Sequence, residues 1–410
     1  MSPKQHLDDL ALFGAPPAFS EPLHVGRPNV GDRARLMERI EEMLDRRWFT
    51  NAGPFEQAFE RALADYLGVR HCIAMCNGTV ALEIAIRACG LTGEVIVPAF
   101  TFVATAHALQ WQEITPVFCD VDPVTHTLDP AKVEALLTPR TSGIIGVHVW
   151  GQPCDVESLA AIAGRHRLRL LFDAAHALGC SYRGRMVGNF GDAEVLSFHA
   201  TKFVNAFEGG AVLTNDDELA IRMRLMKNFG FAGYDNVVYV GTNGKMSEVS
   251  AAMGLTSLEA LPTFVEVNRA NYHAYRAALA GLPGLRVYTY DETEACNYQY
   301  VIVEVDEAEA EISRDLLVEL LHAERVLARR YFYPACHRME PYRSYFPHAG
   351  LLLPETERLT QRVMSLPTGT AVGQEEITTI CEIVRFALAH GPEITRRRAA
   401  RAATRVEARV

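Results

Sequence analysis

The chain has 410 residues, room for two or three domains at roughly 150 residues each and for a sizeable core. Apolar residues make up 49% and charged residues 22%, a globular balance that excludes disorder or a fibrous repeat as the main architecture. The net charge of −10 repels phosphate backbones, so nucleic acid is not the expected partner, and any anionic small ligand must be held by local groups.

The first residues, MSPKQHLDDLALFGAPPAFSEP, carry charges and prolines where a signal peptide needs an apolar core. No later run approaches about 18 uninterrupted apolar residues, so the expectation is a cytoplasmic protein with no membrane partner. Residues 1–33 read as a Pro/Gly-bearing arm. Nine cysteines without a C-x-x-C pair read as reduced thiols and argue against a zinc ribbon or a regular iron–sulfur ligand set, so no metal is expected.

From about residue 69, short β-branched runs alternate with helical patterns. HCIAMC (71–76) leads into TVALEIAIRAC, and EVIVP (94–98) into TFVATAHALQW. PVFCDVD (116–122), a helix opening near Asp129-Pro130, SGIIGVHVWG (142–151), a helix from about Asp155 and RLRLLF (167–172) continue the alternation. AEVLSF (193–198) and GAVLT (210–214) add two strands. Such alternation implies βαβ units and a largely parallel sheet, so the fold class is α/β. Amphipathic helices at 216–227 and across 247–280 close a large domain of residues 34–262. After Leu282-Pro283-Gly284 come a strand at 298–305, a helix at 313–324, a strand near 326–332 and two closing helices, a smaller α/β domain of residues 263–393. Residues 394–410, basic and poor in large apolar groups, read as a frayed helix or a disordered tail.

Three segments can carry chemistry. CNGTVAL (76–82) lies between a strand and a helix, where Gly78 and Thr79 bring backbone N–H groups and a hydroxyl to the positive end of the helix, a place for a phosphate or for plain capping. LFDAAHALG (171–179) ends a strand on Asp173, which either reaches a bound group or caps the next helix; His176 follows three residues later. SFHATKFVNAFEGGAV (197–212) sets Lys202 among apolar and small residues after a strand, surroundings that lower a lysine's pKa and suit it to a Schiff base. Pyridoxal phosphate needs a phosphate cradle, a carboxylate for its pyridine nitrogen and a lysine, and all three occur here in that order.

The ordered motifs NGTVAL, VIVPAFTFVATAHA, PVFCDVD, TPRTSGIIGVHVWGQPCD, FDAAHALG, GNFGDAEVLSFHATK, EGGAVLTND and GTNGKMSEVSAAMGL resemble the DegT-type sugar-nucleotide aminotransferases over about residues 30–390. These are fold-type I pyridoxal phosphate enzymes with a large mostly parallel-sheet domain and a smaller C-terminal domain. Within the family, FDAAHALGC, SFHATKFVNAFEGGAV and GTNGKMSEVSAAMGLTSLEA look most like the branch that aminates dTDP-4-keto-6-deoxy-D-glucose at C4 for antibiotic deoxysugars. The resemblance implies pyridoxal 5′-phosphate as cofactor, L-glutamate as donor, a dTDP-keto-deoxysugar as acceptor and a homodimer with shared active sites.

It also implies roles. Lys202 bonds the cofactor and moves protons, Asp173 holds the pyridine nitrogen, and His176 contacts the phenolic oxygen. Gly78, Thr79 and the Ser197 hydroxyl take the phosphate, with Asn243 reaching it from the other subunit. Phe102 lies where the family places an aromatic ring on the cofactor face, and Tyr331, Tyr333 and His337 are candidate sugar contacts. His148 and Trp150 either line the pocket or pack. A 3-keto or 2,3-dideoxy-4-keto sugar stays open as the acceptor. A dehydrating relative with histidine for the lysine is disfavoured by Lys202, and an iron–sulfur version by the cysteine spacing. A cofactor-binding sensor without turnover and a plain nucleotide-binding module are the remaining rivals.

Overall fold

The computed structural model describes residues 4–407, with side chains as far as residue 401. Two helices precede the main sheet, α1 (Arg33–Arg46) and α2 (Pro54–Leu67). The sheet strands, with the helices between them, are β1 (His71–Met75), α3 (Gly78–Ala88), β2 (Glu94–Pro98), α4 (Ala104–Gln110), β3 (Thr115–Cys119), β4 (Thr141–Val147), α5 (Val156–His166), β5 (Arg169–Asp173), β6 (Ala193–Ser197) and β7 (Gly210–Thr214). Their spatial order is β1-β7-β6-β5-β4-β2-β3. Every pairing is parallel except those of β7, which runs antiparallel to both β1 and β6. The strands are buried along nearly their whole length, as a sheet covered on both faces requires. This is the α/β class with the mostly parallel sheet that the alternating pattern implies. The segment opening at Asp129-Pro130 forms only a short helix, Pro130–Val133, before tightening into a 3-10 turn.

Helices α6 (Asp217–Met226), α7 (Glu248–Glu259) and α8 (Leu261–Ala278) lead to a three-stranded antiparallel sheet, β8 (Leu285–Val287), β9 (Val301–Val305) and β10 (Val363–Leu366), in the order β8-β9-β10. Helices α9 (Arg314–Ala323), α10 (Pro354–Arg362), α11 (Gln374–Ala389) and α12 (Gly391–Glu407) complete the chain. Of the strand expected near 326–332, only Val326–Leu327 forms, paired in parallel with Leu23–His24. The N-terminal arm thus packs on the C-terminal half: Leu10, Phe13, Phe19 and Leu23 enter its core, and the Glu324 carboxylate accepts the Ala11 and Ala18 amides at 2.7 Å each.

Of the two readings of the tail, a helix or a disordered segment, the structure takes the helix: Gly391–Glu407 form α12. Ile394 is fully buried, the Arg397 and Arg401 guanidiniums lie 4.4 and 5.4 Å from the Phe13 ring, Arg397 pairs with Asp8, and Arg401 donates to the Leu12 and Phe13 carbonyls. Arginine stems and cation–π contacts supply the docking that large apolar side chains do not. Residues 408–410 of that tail lie outside the described residues.

The two halves meet at Asp120, just beyond β3. Its carboxylate accepts the Thr356 amide and hydroxyl at 2.7 and 2.8 Å and the Glu355 amide at 3.0 Å, capping α10, while Lys132 approaches to 2.9 Å. Burial raises its pKa, but these bonds prevail and hold it below the ordinary carboxylate value.

Candidate active site

Adjacent strands of an α/β sheet deliver side chains at their carboxyl ends. Here Asn77 follows β1, Asp173 ends β5 and Ser197 ends β6, and all three line one cavity of about 640 Å³. That volume suits a cofactor with part of a substrate. Gly78, Thr79, Phe102, His176, Lys202 and Tyr331 line it as well.

At the phosphate end, Asn77 caps α3 by accepting the Val80 amide at 2.8 Å. A β-carbon on Gly78 would come 3.1 Å from the Ser197 β-carbon, so its absence lets the helix start against the end of β6. A β-carbon on Gly210 would fall 2.5 Å from the Asn77 carbonyl carbon, which explains the glycine after the lysine loop. The result is a close-set helix N-terminus with free amides and two hydroxyls, from Thr79 and Ser197.

Asp173 is fixed by two donors: the Thr105 hydroxyl at 2.8 Å and the Ala175 amide at 3.1 Å, with Thr101 supporting Thr105 at 2.9 Å. Burial pushes its carboxyl up, opposed by those bonds and by the field of Lys202. Among the described residues, no lysine, arginine or histidine stands within ion-pair distance of it. A pyridinium placed against it would supply the missing cation.

His176 accepts the Trp150 amide on Nδ1 at 3.2 Å, which leaves the ring proton on Nε2. Burial, helped by Lys202, pushes its pKa well down, so the imidazole is neutral. Phe332 stacks on it at 5.8 Å and 7°, and the Tyr300 ring lies tilted against it at 4.7 Å. Lys202 follows a turn in which its amide donates to the His199 carbonyl at 2.8 Å; its amine has no hydrogen-bond acceptor among the described residues. Burial lowers the amine to about 8, with Asp173 pulling the other way. Cradle, uncompensated carboxylate and unpaired amine fit the pyridoxal phosphate that the resemblance implies.

Not every candidate arrives. Asn243 is exposed on the 228–244 segment and does not line this cavity. His337 is a packed residue and not a cavity contact: it is 2% exposed, bonded to Glu357 at 2.6 Å and set against Phe118. The Tyr333 ring is taken by the guanidiniums of Arg314 and Arg330, at 5.3 and 4.5 Å. His148 and Trp150 are core residues; His148 stacks on Phe172 and bonds Glu194 at 3.2 Å. Phe102 stands 56% exposed at the rim. The sequence reading missed Thr105, Phe332 and Arg329. Thr101 and Thr105, four apart at the start of a helix that follows a strand, were the available signal for the first.

The pattern of the DegT/DnrJ/EryC1/StrS aminotransferase family matches residues 31–385. The dTDP-4-amino-4,6-dideoxy-D-glucose transaminase of Shigella dysenteriae is 36% identical, over 90% of this chain and 99% of its own; that of Escherichia coli is 34% identical, over 88% and 97%. The crystal structure of DesI in the presence of its TDP-sugar product superposes with a TM-score of 0.92 at 55% identity, covering 96% of this chain and 99% of that one. The chain therefore belongs to the DegT/DnrJ/EryC1/StrS family, and it is a pyridoxal phosphate-dependent sugar aminotransferase.

Proposed function

We propose that the protein moves the amino group of L-glutamate to C4 of dTDP-4-keto-6-deoxy-D-glucose, giving dTDP-4-amino-4,6-dideoxy-D-glucose for an antibiotic deoxysugar. The observation that carries the reading is a half-buried, unpaired amine, Lys202, sharing a cavity with an uncompensated buried carboxylate, Asp173, in a chain 55% identical to DesI over nearly its whole length. Two relatives bearing the transaminase name support the choice of C4 sugar.

When bound, pyridoxal phosphate supplies an aldehyde that carries the amino group and a ring that withdraws the electron pair left at the donor carbon. Lys202 anchors that aldehyde in the resting enzyme, takes the proton from the donor's α-carbon on Nζ, and returns a proton to C4 of the sugar. Asp173 holds the pyridine N–H. His176, protonated on Nε2, offers a donor to the phenolic oxygen, and Gly78, Thr79 and Ser197 hold the phosphate.

The working form in this reading is a cytoplasmic homodimer. Its support is the exposed apolar segment carrying Phe229, Phe231, Tyr234, Val237, Val238 and Val240, next to Asn243, the residue assigned to the other subunit's phosphate. Among the described residues, no helix is long and apolar enough to cross a membrane.

The deciding experiment is the visible spectrum of the holoenzyme, taken before and after L-glutamate and again after dTDP-4-keto-6-deoxy-D-glucose. The band should bleach with glutamate and return with the sugar, and Lys202→Ala should dimerise yet show neither change. Bleaching without return would reject the sugar. No band after added cofactor would reject the whole reading.

A further inference from the structure

Two arginines open the segment 329–337, and the fold treats them differently. Arg330 is engaged: it donates to Asp315 at 3.1 Å and covers the Tyr333 ring at 4.5 Å. Arg329 lines the same cavity as Lys202 and rests its guanidinium 4.7 Å from the Tyr331 centroid. No carboxylate or carbonyl among the described residues takes a bond from it. Its backbone is held, however: its amide donates to the Ser365 carbonyl at 3.0 Å, and its carbonyl accepts the Ser365 amide at 2.7 Å, tying it to β10.

The other basic groups of the cavity are occupied or uncharged. His176 is neutral, and His199 faces Glu208 at 3.5 Å and Thr201 at 2.8 Å. Lys202 is committed to the chemistry. In a molecule of net charge −10, an unpaired guanidinium on a ligand cavity is a local holder for an anion.

We propose that Arg329 anchors the α-carboxylate of the amino donor. The assignment rests on L-glutamate being that donor. The α-carboxylate is bonded to the carbon that reacts at Lys202, so it has to enter the cavity these two residues share. The nucleotide diphosphate lies across the sugar ring from C4 and is free to extend outward. A guanidinium presents a planar pair of N–H donors matched to a carboxylate, and a lysine ammonium does not reproduce that fork.

The test uses holoenzyme and α-methyl-L-glutamate, which keeps both carboxylates but has no α-proton to lose, titrated against the visible band. Arg329→Gln should bind it 10- to 100-fold more weakly, the loss of a charge-assisted bond, with Arg329→Lys between. The same variant should keep its cofactor band and its affinity for the dTDP-amino sugar. It should also discriminate less than wild type between L-glutamate and its α-amide. Unchanged donor affinity in a variant whose parent reacts with glutamate overturns the assignment alone. A loss confined to the sugar nucleotide also overturns it and gives Arg329 to the diphosphate. A wild-type enzyme inert toward glutamate would overturn the donor reading and the assignment together.

Discussion

Thr105 shows how one hydroxyl sets the electrostatics of this cavity. It donates to a carboxylate that burial already destabilises, and it is itself held by Thr101. Replacing it with valine keeps the shape but leaves one Asp173 oxygen without its donor, so the carboxyl becomes harder to ionise. Thr105→Val should weaken cofactor binding 10- to 100-fold, and Thr105→Ser should restore most of it; equilibrium titration of the apoenzyme with pyridoxal phosphate measures both. Lys202 gives a second residue-scale prediction. Only the neutral amine attacks an aldehyde, and burial brings its pKa to about 8, so the rate of cofactor capture by apoenzyme should rise with pH and level off about a unit above 8. Asp173 holds that pKa up, so Asp173→Asn should move the midpoint to lower pH. An unmoved midpoint would show that the two groups do not share a field.

Among the elements, α2 and α6 are joined to β1 by a buried charge cluster. Lys227, just after α6, bonds Glu56 at 2.6 Å, Glu60 at 3.2 Å and the Ala74 carbonyl at 3.0 Å, and Arg224 reaches Glu60 at 2.7 Å. Burial raises Glu56, and Lys227 opposes it. Removing the lysine strands the Glu56 carboxylate, while Glu60 keeps Arg224, a larger loss than the Lys227–Glu56 pair itself was worth. Lys227→Met should cost about 3–5 kcal/mol, read from the denaturant midpoint. The deficit should shrink as pH falls, because a protonated Glu56 is no longer a stranded charge and the wild type loses its pair; a deficit independent of pH would point to lost packing instead. This cluster was not visible along the chain, since its acids lie more than 160 residues from its bases and meet them only when α6 packs on β1.

At the scale of the whole molecule, the proposed dimer would make the exposed apolar segment near Asn243 a link between assembly and cofactor retention. Val240 is 72% exposed and Tyr234 wholly so, an arrangement a soluble monomer rarely keeps. If this face joins two subunits, Val240→Asp should shift the species seen by light scattering from twice the chain mass to one chain mass, and cofactor affinity should fall with it because Asn243 is carried away from the neighbouring phosphate. Asn243→Ala should lower cofactor affinity while leaving the dimer intact. A dimer unaffected by Val240→Asp would place the interface elsewhere.

What the sequence by itself determined was local. Strand and helix periods marked the alternating elements, so the α/β class and the strand-end positions of Asp173 and Ser197 were legible without coordinates. The ordered motifs did the same for the family. What needed the tertiary structure was everything set by distant partners: the antiparallel insertion of β7, the Thr105 hydroxyl on Asp173, the tautomer of His176 and the removal of His337 to Glu357. The arginine-rich tail belongs with these, because its helix is docked by Phe13 and Asp8 of the opposite terminus. Periodicity reports how a residue sits relative to its neighbours in the chain; burial, pairing and protonation depend on which remote groups the fold brings beside it.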